Sequence, residues 1–180
     1  MGKVLDSIDD ALAAWIQAQP VFFVATAPSG PGGHVNLSPK GYDTLRVLDP
    51  TTVAYLDLTG SGVETVAHLR ENGRITLMLC AFDGPPRIVR LHGTGEVVQP
   101  DDPEWAELID GFTEHPGART IIRAHVERVS SSCGFAVPFM SLVGERPTLD
   151  QANGRKGEAA LADYRAEKNA VSIDGLPGLA

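Results

Sequence analysis

The sequence is short of cysteine and contains no long apolar run, and each shortage argues against a class of protein. Its two cysteines, Cys80 and Cys133, show no CxxC spacing and no histidine-rich neighbourhood, so neither a metal site nor a disulfide framework is predicted. No apolar segment approaches the roughly 20 residues that cross a bilayer. The start MGKVLDSIDD is acidic and lacks the apolar stretch of a secretory signal peptide. We therefore expect a cytoplasmic protein with free thiols, of which Cys80 is buried.

Basic residues are also scarce. The chain has 15 lysines and arginines against 23 aspartates and glutamates, which gives a net charge of -8. Proteins that bind nucleic acid normally present a basic surface, so nucleic acid is not expected as the main partner. A small anion held in a local positive pocket is compatible with this balance. With 180 residues, 43% of them hydrophobic, the chain can bury a substantial core as one domain.

Apolar segments of strand character recur along the chain. Alternation of apolar and polar residues, or short apolar runs between turn residues, predicts six strands. They are VFFVATA, HVNLSP, TTVAYLDL, RITLMLCAF, PPRIVRLHGTGEVVQ and RTIIRAHVERV. The first two read as hairpin partners, and the fifth as either a strand pair or one long bent strand, since Gly93 and Gly95 permit a bend.

Helices are predicted at the margins of these strands. A capping pattern at Ser7 and Asp10 precedes one helix, a short helix covers 64–71, and Pro103 opens a third. From Ser130 the chain becomes loop-like, with one more helix near 158–167. The pattern predicts a single α+β domain over 1–180, with an antiparallel barrel core at about 1–130 and a C-terminal extension at 131–180.

The segment LTGSGVETVAHL places two glycines between a strand and a helix, an arrangement that can hold a phosphate. In a dinucleotide-binding fold the motif is GxGxxG, with an acid about 20 residues later. Gly60 and Gly62 fit, but Thr65 stands at the third glycine. That fold also needs continued strand–helix alternation, whereas strands follow one another after Phe82. The context therefore argues against a dinucleotide fold.

A phosphate can still bind at this turn in another fold. The amides of Gly60, Ser61 and Gly62, at the positive end of the helix, would meet the anion. Lys40, in NLSPKG, is the best candidate for a balancing cation because its strand could run beside AYLDL. The alternative is that the turn only caps the helix. Both interpretations stay open on spacing alone.

The chain resembles a known family. The succession HVNLSPKG, TVAYLDLTGSGVETVAHLRENGRITLMLCAF and PPRIVRLHGTGEVV is similar to the FMN-binding split-barrel proteins related to pyridoxamine 5'-phosphate oxidase. The later SSSCGFAVPFMSLVGERPTLDQ and YRAEKNAVSIDGLPGL resemble the C-terminal part of one bacterial branch of that family. The resemblance implies a six-stranded antiparallel split β-barrel with peripheral helices. It also implies a homodimer with FMN in a groove between the subunits.

The resemblance carries over to particular residues. It implies that Asn36, Ser38 and Lys40 lie along the flavin. A second group would lie near the flavin phosphate: Thr59, Ser61, Gly62 and Thr65. The sequence departs from the oxidase itself in two ways, because the helix start SGVET carries the acidic Glu64 and no basic residue, and the signature for pyridoxamine phosphate is not recognised. Lys40 would then carry more of the phosphate binding.

The predicted function is a flavin-dependent oxidoreductase whose substrate is unknown. The same groove in a related branch accepts the deazaflavin F420. The alternative is a carrier or sensor that binds flavin, F420 or a tetrapyrrole without turnover. None of the five histidines stands at the spacing of a metal site or a catalytic triad, so no catalytic side chain is predicted.

One apolar segment of the C-terminal extension predicts assembly. CGFAVPFMSLVG is too apolar for an exposed tail and is interrupted by Pro138. Its apolar residues are Phe135, Val137, Phe139, Met140 and Leu142. A large exposed apolar patch on a monomer promotes aggregation, so this segment is predicted to pack at the interface of a homodimer.

Overall fold

Between residues 2 and 179 the chain forms a single antiparallel sheet with four helices around it. It was analysed as a computed structural model that describes residues 2–179. The strands are β1 (Lys3–Leu5), β2 (Phe22–Thr26), β3 (Asn36–Lys40), β4 (Leu45–Asp49), β5 (Thr52–Leu58), β6 (Arg74–Cys80), β7 (Ile88–Val98) and β8 (Ala118–Ser132). The helices are α1 (Asp10–Gln17), α2 (Glu64–Asn72), α3 (Trp105–Ile109) and α4 (Thr148–Lys168).

The strand order is β3-β2-β6-β7-β8-β5-β4, with β1 also paired to β8, and every pairing is antiparallel. The predicted α+β split-barrel class is confirmed, as is the β2–β3 hairpin. Strands β1 and β4 add to the six that the sequence indicated. β4 is only five residues long, and its alternation is confined to Leu45 and Val47, which face the core.

β7 is one long bent strand, the second of the two alternatives. The register against β8 shifts between His92 and Gly93, which marks a bulge. A Cβ atom at Gly93 would lie 1.8 Å from the carbonyl oxygen of His125. Only glycine allows the two strands to approach this closely at the bend.

The helices differ from the predictions mainly at their ends. Asp9, not Ser7, caps α1: its carboxylate accepts a hydrogen bond from the amide of Leu12 at 2.7 Å. α2 covers the predicted segment and ends at Gly73, which adopts the left-handed conformation (φ 71°). α4 is longer than expected and is broken at Gly157, whose φ of 72° is not helical.

The interior of the barrel holds the main core, which includes Val24, Tyr55 and Leu91. The C-terminal segment folds back onto the barrel, and its buried residue Asn169 accepts a main-chain hydrogen bond from Leu179. Residues 133–147, here called the connecting segment, join β8 to α4 without regular structure. Cys80 is buried, as predicted, while Cys133 is exposed. No helix within residues 2–179 combines the length and the hydropathy needed to cross a membrane.

Candidate functional site

A polar cavity of about 360 Å³ lies between β3, the turn after β5, and β8. It contains five of the seven predicted site residues: Asn36, Ser38, Lys40, Gly62 and Thr65. The two elements that carry them, β3 and the start of α2, are separated by more than 20 positions in the sequence. The fold therefore brings most of the predicted site together in one place.

Thr59 and Ser61 do not line this cavity. Thr59 is buried beneath the turn, where its hydroxyl donates to the carbonyl of Gly117 at 2.8 Å and accepts from Arg165 at 3.3 Å. Ser61 is exposed at the turn. Thr59 thus anchors the glycine turn to the loop before β8.

A buried charge network forms one wall of the cavity. The Lys40 ammonium donates to Asp57 Oδ1 at 2.9 Å, and Nε of Arg119 donates to Asp57 Oδ2 at 2.7 Å. The sequence interpretation of Lys40 therefore needs two corrections. β3 pairs with β2 rather than with β5, and Lys40 reaches Asp57 of β5 through its side chain. Its charge is also shared with this carboxylate.

Asp57 is ionised within this network. Burial by itself would raise the pKa of this carboxyl, because a charge is costly in a low-dielectric interior. The positive charges of Lys40 and Arg119, and the hydrogen bonds they donate, outweigh that effect and lower the pKa to about 2. The negative charge of Asp57 is thus permanent at neutral pH, and it fixes both cations at the cavity wall.

Arg119 holds the glycine turn in shape. Its guanidinium donates to the carbonyl of Gly62 at 2.9 Å and to Asn169 Oδ1 at 2.8 Å. The Asn169 amide in turn donates to the carbonyl of Gly60 at 3.0 Å. Since the carbonyl and the amide of one peptide point in opposite directions, the amides of Ser61 and Val63 are turned away from Arg119.

The start of α2 carries donors that lack partners. Val63 is its N-terminal capping residue and makes no side-chain capping bond. Across residues 2–179, the main-chain hydrogen bonds include none donated by the amides of Gly60, Ser61 or Gly62. Among the described residues, the start of α2 has no side-chain capping bond and the turn before it has amides without main-chain partners, so an anion can bind there.

A carboxylate oxygen at the cavity and a hydroxyl in the barrel core also lack hydrogen-bond partners among the described residues. Glu64 lines the cavity, and its buried Oε2 has no hydrogen-bond partner among the described residues. The hydroxyl of Tyr55, which is fully buried in the barrel core and does not line the cavity, also has no partner within hydrogen-bond distance among the described residues. Buried polar atoms without partners are uncommon in folded proteins and call for a bound group or water.

The polar residues of β3 form a short chain that fixes the cavity floor. Ser38 donates to Asn36 Oδ1 at 3.0 Å, and the Asn36 amide donates to the Thr65 hydroxyl at 3.1 Å. Behind them, Thr26 contacts Nδ1 of the fully buried His68 at 2.9 Å. These bonds hold the Asn36 amide in a defined orientation toward the cavity.

A second cavity of about 500 Å³ adjoins the first and shares Lys40 and Tyr42 with it. Its other walls are mostly apolar and come from the residues just before β2, the β6–β7 loop and the connecting segment: Pro20, Val21, Phe82, Met140 and Leu142. Tyr42 lies at the junction with a positive φ of 62°. Its hydroxyl donates to the carbonyl of Arg146, and its ring stacks on His115 at 5.3 Å.

Sequence reasoning missed Asp57 and Arg119 as site residues. Both lie in strands whose neighbours are buried, Leu56 on one side and Thr120 and Ile121 on the other. An acidic residue in one buried strand and a basic residue in another were the signal that could have indicated a buried ion pair. The 62-residue separation between them concealed the pairing.

Comparison with known proteins agrees with the fold. The profile of the pyridoxamine 5'-phosphate oxidase family matches residues 8–133. The chain is 42% identical to the pyridoxamine 5'-phosphate oxidase family protein ustO of Aspergillus flavus, an alignment that covers 97% of this chain and 76% of that protein.

Two solved structures share the fold at low sequence identity. HupZ of Group A Streptococcus superposes with a TM-score of 0.53 at 24% identity, over 68% of this chain and 91% of that chain. The FAD binding protein of Mycobacterium smegmatis gives a TM-score of 0.50 at 13% identity, over 71% and 97%. Taken with the profile match and the ustO alignment, these likenesses give one conclusion: the chain belongs to the pyridoxamine 5'-phosphate oxidase family.

Proposed function

We propose that this protein is a flavin-dependent oxidoreductase that binds FMN in the two adjoining cavities. The observation that carries the proposal is the convergence of Lys40, the unpartnered amides of the glycine turn and the positive end of α2 on one polar cavity. Family membership and the name of the Mycobacterium smegmatis relative, an FAD binding protein, support a flavin as the ligand.

The polar cavity suits the phosphate. An ammonium group has three N–H donors, and only one of those of Lys40 is engaged with Asp57. The amides at the start of α2 add donors and the positive end of the helix dipole. Thr65 supplies a hydroxyl at the same wall. Together these groups can satisfy a dianion without a basic residue in the turn itself.

The remaining features suit the rest of FMN. The sugar alcohol chain carries hydroxyls, and the unpartnered Oε2 of Glu64 needs a hydroxyl or amine donor. This gives the acidic residue at the start of α2 a role other than repelling the phosphate. The flat ring system is apolar on its faces and fits walls formed by Phe82, Met140 and Leu142.

Flavin, when bound, supplies the hydride and electron chemistry, and the protein supplies orientation and electrostatics. In this chain Asp57 and Arg119 hold the turn and Lys40 in place, and Asn36 and Ser38 present polar groups along β3. The substrate then has to reach the second cavity, whose lining includes Met140 and Leu142 of the connecting segment.

The proposal is tested by purifying the protein, adding FMN, and recording the visible absorption spectrum before and after anaerobic addition of NADH or NADPH. A yellow protein that bleaches supports an oxidoreductase. A yellow protein that bleaches with neither nicotinamide, and whose flavin, once reduced by dithionite, is reoxidised by no member of an anaerobic substrate panel, supports a carrier. Protein that takes up F420 and excludes FMN would overturn the choice of cofactor, and protein that takes up neither would overturn the proposal.

Replacement of Lys40 by Ala is expected to weaken FMN binding by roughly ten- to hundredfold, because a charge-assisted hydrogen bond contributes about 1.5–3 kcal/mol. Riboflavin has no phosphate, so its affinity should change little. Titration of flavin fluorescence with both ligands measures the difference. Lys156→Ala, at an exposed lysine of α4, is the matched control. Equal losses for FMN and riboflavin would mean that Lys40 contacts the ring or supports the fold instead.

We also infer that the connecting segment packs against a second copy of the chain. Phe139 is 84% exposed, and Phe135, Met140 and Leu142 are also exposed in the single chain. Light scattering at micromolar concentration should give the mass of a dimer, and the variant Phe135→Ser/Phe139→Ser should shift it toward a monomer. A stable monomer of the native protein would contradict this inference.

A further inference from the structure

At the end of the sheet where β1, β7 and β8 meet, the inward face becomes polar on β1 and β8, while β7 continues with the buried Val89. Leu5, Val129 and Leu91 lie opposite one another and belong to the core. Side chains two positions apart share a face of a strand. The next inward positions are Lys3 and Ser131, which pair across β1 and β8, and Arg87 and Cys133 follow just beyond the strand ends.

These residues border a cavity of about 580 Å³, distinct in its lining from the two cavities described above. Trp15 of α1, with Leu5 and the Pro85–Pro86 pair, forms its apolar wall. Its size lies within the range typical of small-molecule sites, about 300–1,000 Å³. The cavity therefore has room for an organic molecule, with an aromatic side chain to pack against it.

The charged residues that line this cavity are all basic, whereas the protein as a whole is acidic. None of its lining residues is acidic, although the chain carries a net charge of -8. Among the ion pairs of residues 2–179, none includes Lys3 or Arg87. Two cations without carboxylate partners beside a concave surface favour a negatively charged ligand.

Arg87 is also held in position. Its guanidinium lies 5.0 Å from the centre of the Trp15 ring, and its Nε donates to the Ser131 hydroxyl at 3.3 Å. These contacts fix the side chain while leaving the terminal guanidinium nitrogens without a partner among the described residues. A preorganised guanidinium with free N–H groups is well suited to a carboxylate or phosphate.

We propose that this cavity is a second ligand site, which binds a small organic anion with an aromatic body. Arg87 and Lys3 hold its phosphate or carboxylate, and Trp15, Leu5 and the two prolines contact its body. The site shares no lining residue with the proposed FMN cavities. The proposal therefore does not rest on flavin binding.

Phenyl phosphate is the probe. Its affinity is compared with that of inorganic phosphate, which has only the anionic group, and of phenol, which has only the aromatic ring and a hydroxyl. Two readouts report on the site itself. Trp15 is one of two tryptophans, and its fluorescence should be quenched on titration, a signal that Trp15→Phe removes. Cys133 lines the cavity, whereas Cys80 is buried. Alkylation of Cys133 by N-ethylmaleimide, followed by mass spectrometry, should slow when the probe is bound.

Phenyl phosphate is expected to bind more tightly than either fragment. Arg87→Ala should weaken it by roughly tenfold or more, since it loses charge-assisted hydrogen bonds. Arg128→Ala removes the same charge from an exposed position of β8 outside the cavity, and it should leave binding unchanged. Lys40→Ala should also leave it unchanged, which separates this site from the FMN site.

Three results would overturn the proposal. One is an absence of Trp15 quenching and Cys133 protection in the native protein. Another is an equal loss of affinity in Arg87→Ala and Arg128→Ala, which would indicate attraction by overall charge. The third is loss of probe binding in Lys40→Ala with retention in Arg87→Ala. If Arg87→Ala unfolds, as judged by circular dichroism, Arg87→Lys and Ser131→Ala provide the same comparison with smaller structural change.

Discussion

Replacing Asp57 by Asn is expected to lower the free energy of unfolding by about 3–5 kcal/mol, because removal of one partner leaves buried charges uncompensated. Asp57 and the Arg119 side chain are exposed by only 2% and 6%. Asn keeps the shape of the carboxylate but loses its charge. Arg119 and Lys40 would then face each other across a neutral amide.

The loss is measured by denaturant unfolding, and thermal unfolding should show a fall of roughly 6–20 °C for a chain of this size. Asp101→Asn, at an exposed acid, is the matched control and should change stability little. A native-like melting temperature in Asp57→Asn would mean that the two cations find other partners. The ion pairs of Asp57 with Lys40 and Arg119 would then not be required to hold the glycine turn in place.

The same carboxylate gives a pH dependence with a definite sign. The pKa of Asp57 is about 2 in the folded protein against an ordinary 3.8. A lowered folded-state pKa stabilises the protein above the unfolded-state value, and this contribution is lost as the pH falls through the folded-state value. On the order of 2 kcal/mol should therefore disappear between about pH 4 and pH 2. The stability difference between the native protein and Asp57→Asn should narrow over that window.

Replacing Gly62 by Val is expected to reduce FMN affinity by on the order of a hundredfold, equivalent to about 3 kcal/mol. A Cβ at Gly62 would meet no protein atom within 4 Å. Gly62 is exposed and lines the polar cavity. The added side chain would therefore occupy space where a phosphate must approach the amides of the turn, while the fold is left intact.

Gly32→Val is the control, because Gly32 also has nothing within 4 Å of a Cβ and lies away from the cavity. Flavin fluorescence titrations and a thermal melt of both variants give the comparison. Gly62→Val should melt close to the native protein and fail to retain FMN. If Gly62→Val binds FMN as the native protein does, the phosphate does not approach this turn.

The strands and α2 were predictable because their signal is local. Alternation in β3 and β8, the apolar runs of β5 and β6, and the glycines before and after α2 each depend on residues within a few positions. β4 was missed because five residues with two inward side chains give a weak period. α4 was underestimated because Gly157 interrupts its helical pattern.

Part of the candidate site was predictable for the same reason. Asn36, Ser38 and Lys40 carry an amide, a hydroxyl and an amine at alternate positions of one strand. Gly62 and Thr65 stand at the start of one helix. Resemblance to the family then connected these two short segments. The resemblance also implied Thr59 for its hydroxyl, but its side chain points beneath the turn, since neighbouring residues of a turn need not share a direction.

The sequence by itself determined the α+β class, the antiparallel strands, the family and the two segments that line the polar cavity, because each is encoded by local periodicity or by contiguous motifs. Only the tertiary structure decided that Asp57 binds both Lys40 and Arg119, that Arg119 and Asn169 hold the carbonyls of the glycine turn, and that Lys3 and Arg87 line one cavity. The hydrogen bonds join residues 17 to 109 positions apart, and Lys3 and Arg87 are separated by more than 80 positions. Pairing at such distances depends on strand order and register, which no local pattern specifies.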